Sequence, residues 1–162
     1  MTTFRISKLA QLVGGWGKTS LVRSVTEDLI AQLEKSKQTF AGASLPTEFT
    51  KGRLPPGIRS AWIFVIKPKA KPPLHRHPNS IQHMAVLSGG GHYTIGRRND
   101  VLQPFDPAFP ERSLYVIPEN MPHTFEPANE HLVVMSFHTA ADDELVEEEV
   151  ESGSRRTYQG KA

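Results

Sequence analysis

Residues 74–89 read LHRHPNSIQHMAVLSG, and this stretch decides both the fold class and the candidate site. His75 and His77 are two residues apart, so in an extended segment both imidazoles point to the same face of a sheet. Neutral imidazole is the commonest protein ligand for transition metals, so the pair could form one edge of a metal site. Taken alone, a His-x-His pair more often consists of two solvent-exposed polar side chains that bind no metal. The choice between these two interpretations depends on the rest of the sequence.

The composition limits the class of protein. A chain of 162 residues is long enough for a single domain with one well-buried core. Hydrophobic residues make up 38% of it and charged residues 22%, which is typical of a soluble globular protein. There is no cysteine, so any metal must be held by nitrogen or oxygen. No apolar run approaches 18 residues and no secretory signal is visible, so we expect a cytoplasmic protein without a membrane span.

Downstream of Ile58 the pattern predicts many short strands. Segments rich in β-branched and aromatic residues alternate with turns that contain glycine and proline, which favours an antiparallel sandwich or barrel. The apolar run 81–87 stops at three consecutive glycines, so residues 92–95 are predicted as its hairpin partner. The predicted strands are residues 61–66, 81–87, 92–95, 113–117, 123–125 and 131–137.

The two ends of the chain differ from this central part. Residues 1–57 are predicted as a helical and irregular extension. It would hold a short helix that ends at Gly14 and Gly15 and an amphipathic helix over residues 20–37. Residues 58–140 are predicted as the barrel. Residues 141–162 are predicted as an acidic tail in a short helix or frayed end, because seven of the 17 acidic residues lie between Asp142 and Glu151.

The expected partners follow from the charge and the apolar surfaces. The basic cluster at residues 67–71 has no interleaved aromatic residues, so we expect no nucleic-acid partner. The apolar face of the helix at residues 20–37 and the apolar strand 61–66 could supply an interface between two copies. A homodimer is therefore predicted.

Further polar residues follow the His-x-His pair at fixed spacing. Four residues separate His77 from Gln82, and six more precede Gly89. Downstream, residues 118–123 read PENMPH, which places His123 five residues after a proline and directly after a turn. If both segments line the same barrel, three imidazoles and one amide can converge.

These spacings resemble the two motifs of the cupin superfamily, which read approximately G-x5-H-x-H-x3-4-E-x6-G and G-x5-P-x-G-x2-H-x3-N. The resemblance covers residues 58–140. It implies a mainly β fold, the cupin double-stranded β-helix or jelly-roll barrel, behind the N-terminal helical extension. It also implies one metal ion inside the barrel, held by the matching residues His75, His77, Gln82 and His123.

The departures from the motifs have chemical consequences. Gln82 stands where the motif has glutamate, a variant similar to that of some sugar-processing cupins, so a divalent ion would keep a charge near +2 instead of +1. Asn120 replaces the second motif's glycine, and asparagine tolerates the positive φ that such a turn needs. His83 is an alternative third ligand, but as the strand neighbour of Gln82 it should face the other way. His92 and the other histidines match no motif position and are predicted to have surface or packing roles; they are His131 and His138.

The predicted function is a metal-dependent enzyme that acts on a small oxygenated or anionic molecule by O₂ or Lewis-acid chemistry, as a dioxygenase, isomerase or decarboxylase. The alternative is a non-catalytic small-molecule or sugar-binding cupin. Imidazole and amide donors suit Fe, Mn, Ni, Co, Cu or Zn as the single divalent transition metal. No catalytic acid or base is identified. Strand alternation predicts that the substrate pocket is formed by Met84, Tyr93, Phe125, Phe64 and Tyr115.

Overall fold

The computed structural model describes residues 2–158, which form two antiparallel β-sheets with two longer helices on one side. Within this part of the chain the helices are α1 (Thr2–Trp16), α2 (Ser20–Glu34), α3 (Thr47–Thr50) and α4 (Pro110–Ser113). The strands are β1 (Phe40–Ser44), β2 (Ser60–Ile66), β3 (His75–Arg76), β4 (Gln82–Ser88), β5 (Gly91–Ile95), β6 (Arg98–Val101), β7 (Leu114–Ile117), β8 (His123–Pro127), β9 (Leu132–His138), β10 (Val146–Glu149) and β11 (Arg155–Thr157).

The strand order is that of a jelly-roll sandwich. One sheet has the order β1-β2-β9-β4-β7 and the other has the order β11-β10-β3-β8-β5-β6. The predicted hairpin between β4 and β5 is wrong, because β4 lies between β9 and β7 whereas β5 pairs with β6 and β8. The three glycines instead carry the chain from one sheet to the other. Gly89 has a φ of 78°, and a Cβ there would meet the His131 carbonyl oxygen at 2.3 Å.

Two apolar clusters hold the layers together. The first lies between the sheets and includes Trp62, Phe64, Met84 and Leu132. The second lies between the β1–β7 sheet and the helices. Since both faces of that sheet are covered, β2 and β9 are buried at every position, as in sheets packed on both sides. The prediction of a mainly β jelly roll is confirmed.

The N-terminal region is more regular than the sequence indicated. Helix α1 continues through both glycines to Trp16, whose ring lies 4.9 Å from that of Phe49 and 6.0 Å from that of Phe137. This packing stabilises the last turn against the weak helix propensity of glycine. β1 lies within the predicted extension and pairs with β2. None of the helices in residues 2–158 is both long and apolar enough to cross a membrane.

The two surfaces considered for a homodimer are occupied within the chain itself. The apolar face of α2 is buried through Val22, Leu29 and Leu33, which join the cluster between the helices and the sheet. Strand β2 is buried along its whole length. The homodimer therefore stays a prediction for which another surface would be needed.

The C-terminal region contains strands where the sequence predicted a short helix or frayed end. β10 pairs with both β3 and β11. Glu148 is 5% exposed and forms ion pairs with Arg76 on β3 and Arg155 on β11. These arginines neutralise the Glu148 carboxylate, so it can be buried in the sheet. A segment whose charge indicates a solvated tail therefore forms a strand. β10 thereby reaches the candidate site.

Candidate metal centre

Three histidines meet in the interior of the sandwich. His75 on β3 and His123 on β8 are register partners, so their side chains share a face. His77 follows directly after β3. The ring centroids of His75 and His123 are 4.2 Å apart, and the His77 centroid lies 5.4 Å from His75 and 5.3 Å from His123. One ring nitrogen from each lies within 4.8 Å of the other two, so the triad could hold a metal ion.

Backbone carbonyls fix the orientation of these rings. Nδ1 of His77 lies 2.8 Å from the Val146 carbonyl oxygen on β10, and Nδ1 of His123 lies 2.9 Å from the Met121 carbonyl oxygen. For His75, the Pro73 backbone partly offsets the lowering of the pKa by burial. A ring that donates its Nδ1 proton to a carbonyl presents Nε2 as a lone pair, which is the usual arrangement of metal-binding histidines.

The environment keeps the three imidazoles neutral. Burial, together with the neighbouring His77, lowers the pKa of His75 to about 3. Burial also lowers the pKa of His77, and it holds the pKa of His123 well below its ordinary value with help from the other two rings. A metal binds only deprotonated imidazole, so the site is ready to bind one at neutral pH.

Acidification is expected to destabilise the metal-free protein between about pH 6.5 and pH 5, above the range in which carboxylates protonate. In this window the unfolded histidines take up protons whereas His75, with a pKa of about 3 in the folded state, does not. The unfolded state then binds more protons, so the free energy of unfolding falls as the pH falls. Urea unfolding of the metal-free protein across this window measures the slope. His75→Gln should make the slope shallower without removing it, because the pKa values of His77 and His123 are also lowered by folding, and a free energy that is constant or rises on acidification contradicts the assignment.

Gln82 and His83 lie on opposite faces of β4. Gln82 is 4% exposed, lines the same cavity as His75 and His77, and donates through Nε2 to Ser136 Oγ at 3.1 Å. His83 faces the helices, where Nδ1 lies 3.4 Å from the Phe137 carbonyl oxygen. Of the two alternative third ligands, Gln82 is therefore the one that reaches the cavity. Asn120 adopts a φ of 62°, so the turn before His123 has the predicted positive φ.

A fourth buried histidine lies beside the triad. His138 on β9 is the register partner of Gln82, is fully buried, and has its ring centroid 5.1 Å from that of His77. Its Nδ1 lies 2.9 Å from Ser80 Oγ. Its burial agrees with the predicted packing role, but its nearness to the site was missed. The alternation of apolar residues 132 and 134 on β9 would have placed it inside, had the pairing of β9 with β4 been known.

The cavity beside the histidines is largely apolar. Of the five predicted pocket residues, Phe64 and Phe125 line it. Met84, Tyr93 and Tyr115 do not; they are buried elsewhere in the cluster between the sheets, where the two tyrosine rings pack 5.1 Å apart. Strand alternation correctly predicts which side chains face the space between the sheets. It does not show which of them line the cavity. The cavity lining consists of Phe40, Phe64, Ile66, Pro72, His75, His77, Gln82, Thr124, Phe125, Val134, Glu147 and Tyr158.

Glu147 brings a carboxylate to this cavity that the sequence analysis did not identify. It is 7% exposed, and its Oε2 lies 4.0 Å from His75 Nε2. Arg156 Nη2 donates to Oε1 at 2.7 Å, and the Tyr158 hydroxyl donates to Oε2. Burial and the Glu147 charge raise the pKa of Tyr158 well above its ordinary value, so the phenol remains a donor. A run of acidic residues is typical of a solvated surface, but the pairing of β10 with both β11 and β3 buries this glutamate.

The donor set fits a transition metal. Among the described residues, His123 Nε2, His138 Nε2 and Gln82 Oε1 are buried without a hydrogen-bond partner. Buried polar atoms are nearly always paired, and an ion is one accepted reason for an exception. Neutral imidazoles with an amide or carboxylate oxygen suit divalent Mn, Fe, Co, Ni, Cu or Zn, and three such donors leave positions open to a substrate.

Comparisons with known proteins show which solved structures share this fold. No protein-family model matches the sequence, and no curated protein matches it. Among solved structures, salicylate 1,2-dioxygenase from Pseudaminobacter salicylatoxidans superposes with a TM-score of 0.53 at 13% identity, over 72% of this chain and 32% of that one. Recombinant oxalate oxidase superposes with a TM-score of 0.50 at 16% identity, over 65% and 53%. Procruciferin, an 11S globulin from Brassica napus, superposes with a TM-score of 0.52 at 15% identity, over 71% and 28%.

The two-sheet jelly roll with a histidine cluster inside is the cupin architecture, and the dioxygenase and the oxidase are cupin-fold proteins. The chain has the cupin fold, as its motifs predicted. It spans about a third of the length of the dioxygenase, and identities of this size show the fold alone.

Proposed function

We propose that this protein is a metal-dependent cupin enzyme that acts on a small oxygenated or anionic molecule by O₂ or Lewis-acid chemistry. The observation that carries the proposal is the triad of His75, His77 and His123, whose neutral rings come together beside a largely apolar cavity that His75 and His77 line. Two proteins of the same fold are named as a salicylate 1,2-dioxygenase and an oxalate oxidase. Both names describe the oxidation of small carboxylates.

The triad would hold one divalent transition metal, with Gln82 as the further donor predicted from the motif. Such an ion, when bound, supplies a Lewis acid or redox centre that polarises an oxygen-containing substrate group. Gln82 is already held by the hydrogen bond from its Nε2 to Ser136, and its Oε1 is buried without a hydrogen-bond partner among the described residues. The carbonyls of Val146 and Met121 keep the His77 and His123 imidazoles in the tautomer that binds metal.

The cavity walls would position the substrate. Phe64 and Phe125 offer flat apolar surfaces beside the histidines, and Phe40 and Val134 extend them. These walls exclude water from the reacting end of a small molecule, which strengthens every electrostatic interaction there. The substrate class that fits is a small molecule with an apolar body and an oxygen-containing end group that reaches the histidines.

Metal analysis of the purified protein, followed by oxygen uptake with a panel of carboxylates and catechols, tests the proposal. About one equivalent of a transition metal is expected, with oxygen consumption for a subset of the panel. Protein that takes up no stoichiometric metal from any of the six candidate ions overturns the metal-centre assignment. Metal without turnover of any panel member or of isomerisation and decarboxylation substrates favours the alternative, a non-catalytic binding cupin.

A further inference from the structure

We propose that Tyr158 limits the size of the ligand that can reach the histidine triad, so that the cavity accepts only molecules with a few non-hydrogen atoms. The inference rests on the proposed function and narrows its substrate class. The apolar body of the substrate would be no larger than a methyl group. Formate and acetate then fit, whereas aromatic carboxylates and catechols do not.

The cavity beside His75 and His77 is small. Its volume is about 40 Å³. A water molecule needs about 10–15 Å³ of such a volume, so the cavity has room for about three water-sized groups. Benzene, by comparison, binds in a dry apolar cavity of about 150 Å³. A ligand that contains an aromatic ring therefore needs more space than this cavity offers.

The Tyr158 ring fills space that such a ligand would need. Tyr158 follows directly after β11 and lines the cavity, and it is 7% exposed. Its ring centroid lies 5.4 Å from that of Trp62 and 5.5 Å from that of Phe64, both in edge-to-face geometry. The phenol ring is thus packed into the cluster between the sheets, and it closes the cavity on this side.

A second cavity lies against the same ring. Phe40 and Tyr158 line both cavities, so these two side chains form the boundary between them. The second cavity has a volume of about 20 Å³, and its polar lining comes from Gln32, Gln38 and Arg156. Removal of the Tyr158 ring would join the two volumes, which makes Tyr158 the side chain that sets the length of the histidine cavity.

Polar contacts hold the Tyr158 ring in this position. Its hydroxyl donates to Glu147 Oε2, and Arg156 Nη2 donates to Oε1 of the same carboxylate at 2.7 Å. The Arg156 guanidinium carbon lies 5.4 Å from the centre of the Tyr158 ring and 4.4 Å from that of Phe40. Movement of the ring would remove a hydrogen bond from a buried carboxylate, which is costly. Tyr158 is therefore a fixed wall of the cavity.

The chain offers two matched controls. Tyr93 is 6% exposed and belongs to the same cluster as Tyr158, but it does not line the cavity. Tyr93→Ala and Tyr158→Ala therefore remove the same side chain from the same core, and only the second change enlarges the cavity. Tyr158→Phe keeps the ring and removes only the hydroxyl, so it separates the volume of the ring from its hydrogen bond to Glu147.

Titration of the Co²⁺-loaded protein with formate, acetate and benzoate, followed by visible absorption, tests the proposal. In the wild type, formate and acetate should change the Co²⁺ bands and benzoate should not. Tyr158→Ala should bind benzoate at least about 10-fold more tightly than the wild type does, and Tyr158→Phe and Tyr93→Ala should still exclude it. Wild-type protein that binds benzoate as tightly as acetate overturns the proposal. It is also overturned if Tyr158→Ala excludes benzoate, if Tyr93→Ala accepts it equally well, or if no ligand changes the bands.

Histidine ring signals in NMR spectra of the metal-free protein separate this proposal from the metal centre. Phenol is the group that Tyr158→Ala removes, so it should shift the His75 signals in that variant and leave them unchanged in the wild type. Protein that binds no Co²⁺ or other candidate ion contradicts the proposed function, and the phenol titration still decides the size limit. A shift of the His75 signals in the wild type, or no shift in Tyr158→Ala, overturns it. Tyr158→Leu, which also removes the ring, replaces Tyr158→Ala if circular dichroism shows that the alanine variant does not fold.

Discussion

Replacing His123 by alanine is expected to abolish stoichiometric metal binding, with a loss of affinity of at least about 100-fold. Changes to residues that merely hold the ligands cost metal sites about 10–100-fold in affinity, and His123 is itself one of the three imidazoles that converge in the part of the chain that the structure describes. Its ring is fully buried, and its Nε2 has no hydrogen-bond partner among the described residues. Metal content after dialysis against a buffered metal solution gives the result directly. The increase in melting temperature that metal produces in the wild type should disappear as well.

His92→Ala is the control for this experiment. His92 is exposed on β5 and lies outside the triad, so its removal should leave metal content unchanged. If His123→Ala retains metal at the wild-type level, the histidine cluster is not the metal centre. Equal losses in both variants would point to damage elsewhere in the protein.

Phe137→Ala is expected to have the largest effect on stability, a decrease of about 3–5 kcal/mol in the free energy of unfolding. Phe137 is fully buried on β9 and packs in the cluster between the sheet and the helices, with Trp16 at 6.0 Å. Its removal takes apolar surface out of the core and leaves a cavity that the rigid strands on both sides cannot close. Since domains of this kind are stable by about 5–15 kcal/mol, the variant should lose a large share of the total. Urea unfolding followed by circular dichroism measures the change.

Phe4→Ala provides the comparison for the core substitution. Phe4 is 69% exposed on α1, so the same chemical change should alter the free energy of unfolding by less than about 0.5 kcal/mol. A loss for Phe137→Ala that is no larger than the loss for Phe4→Ala would contradict the position of β9 at the centre of its sheet.

The fold could be predicted because the sequence features that indicate it lie within short segments of the chain. Short β-rich segments and their turns are visible in the sequence, and the spacing from His75 to Gln82 and from Pro118 to His123 identifies the cupin motifs. The structure brings His75, His77 and His123 together and turns Gln82 towards the same cavity. Their role as metal ligands stays a prediction that the experiments above test.

The parts that could not be predicted depend on strand pairing over long distances. Glu147 and His138 reach the site only because β10 pairs with β3 and β9 pairs with β4. No local pattern marks either pairing. The β4–β5 hairpin was mispredicted for the same reason, since a glycine turn has the same composition whether it joins neighbours in one sheet or crosses between two. Helix α1 continues past Gly14 and Gly15 because the packing of Trp16 against Phe49 and Phe137 outweighs the low helix propensity of the two glycines.

The hydrogen bond between His77 Nδ1 and the Val146 carbonyl has a consequence for how the protein is made. The His75–His123 pairing can form once β8 has left the ribosome, but the tautomer of His77 is fixed only after residue 146 has followed and β10 has docked. Contacts between residues so distant in sequence form slowly, because the chain must close a long loop first. We therefore expect the histidine cluster to be completed only after β10 has docked, which also brings Glu147 to the cavity.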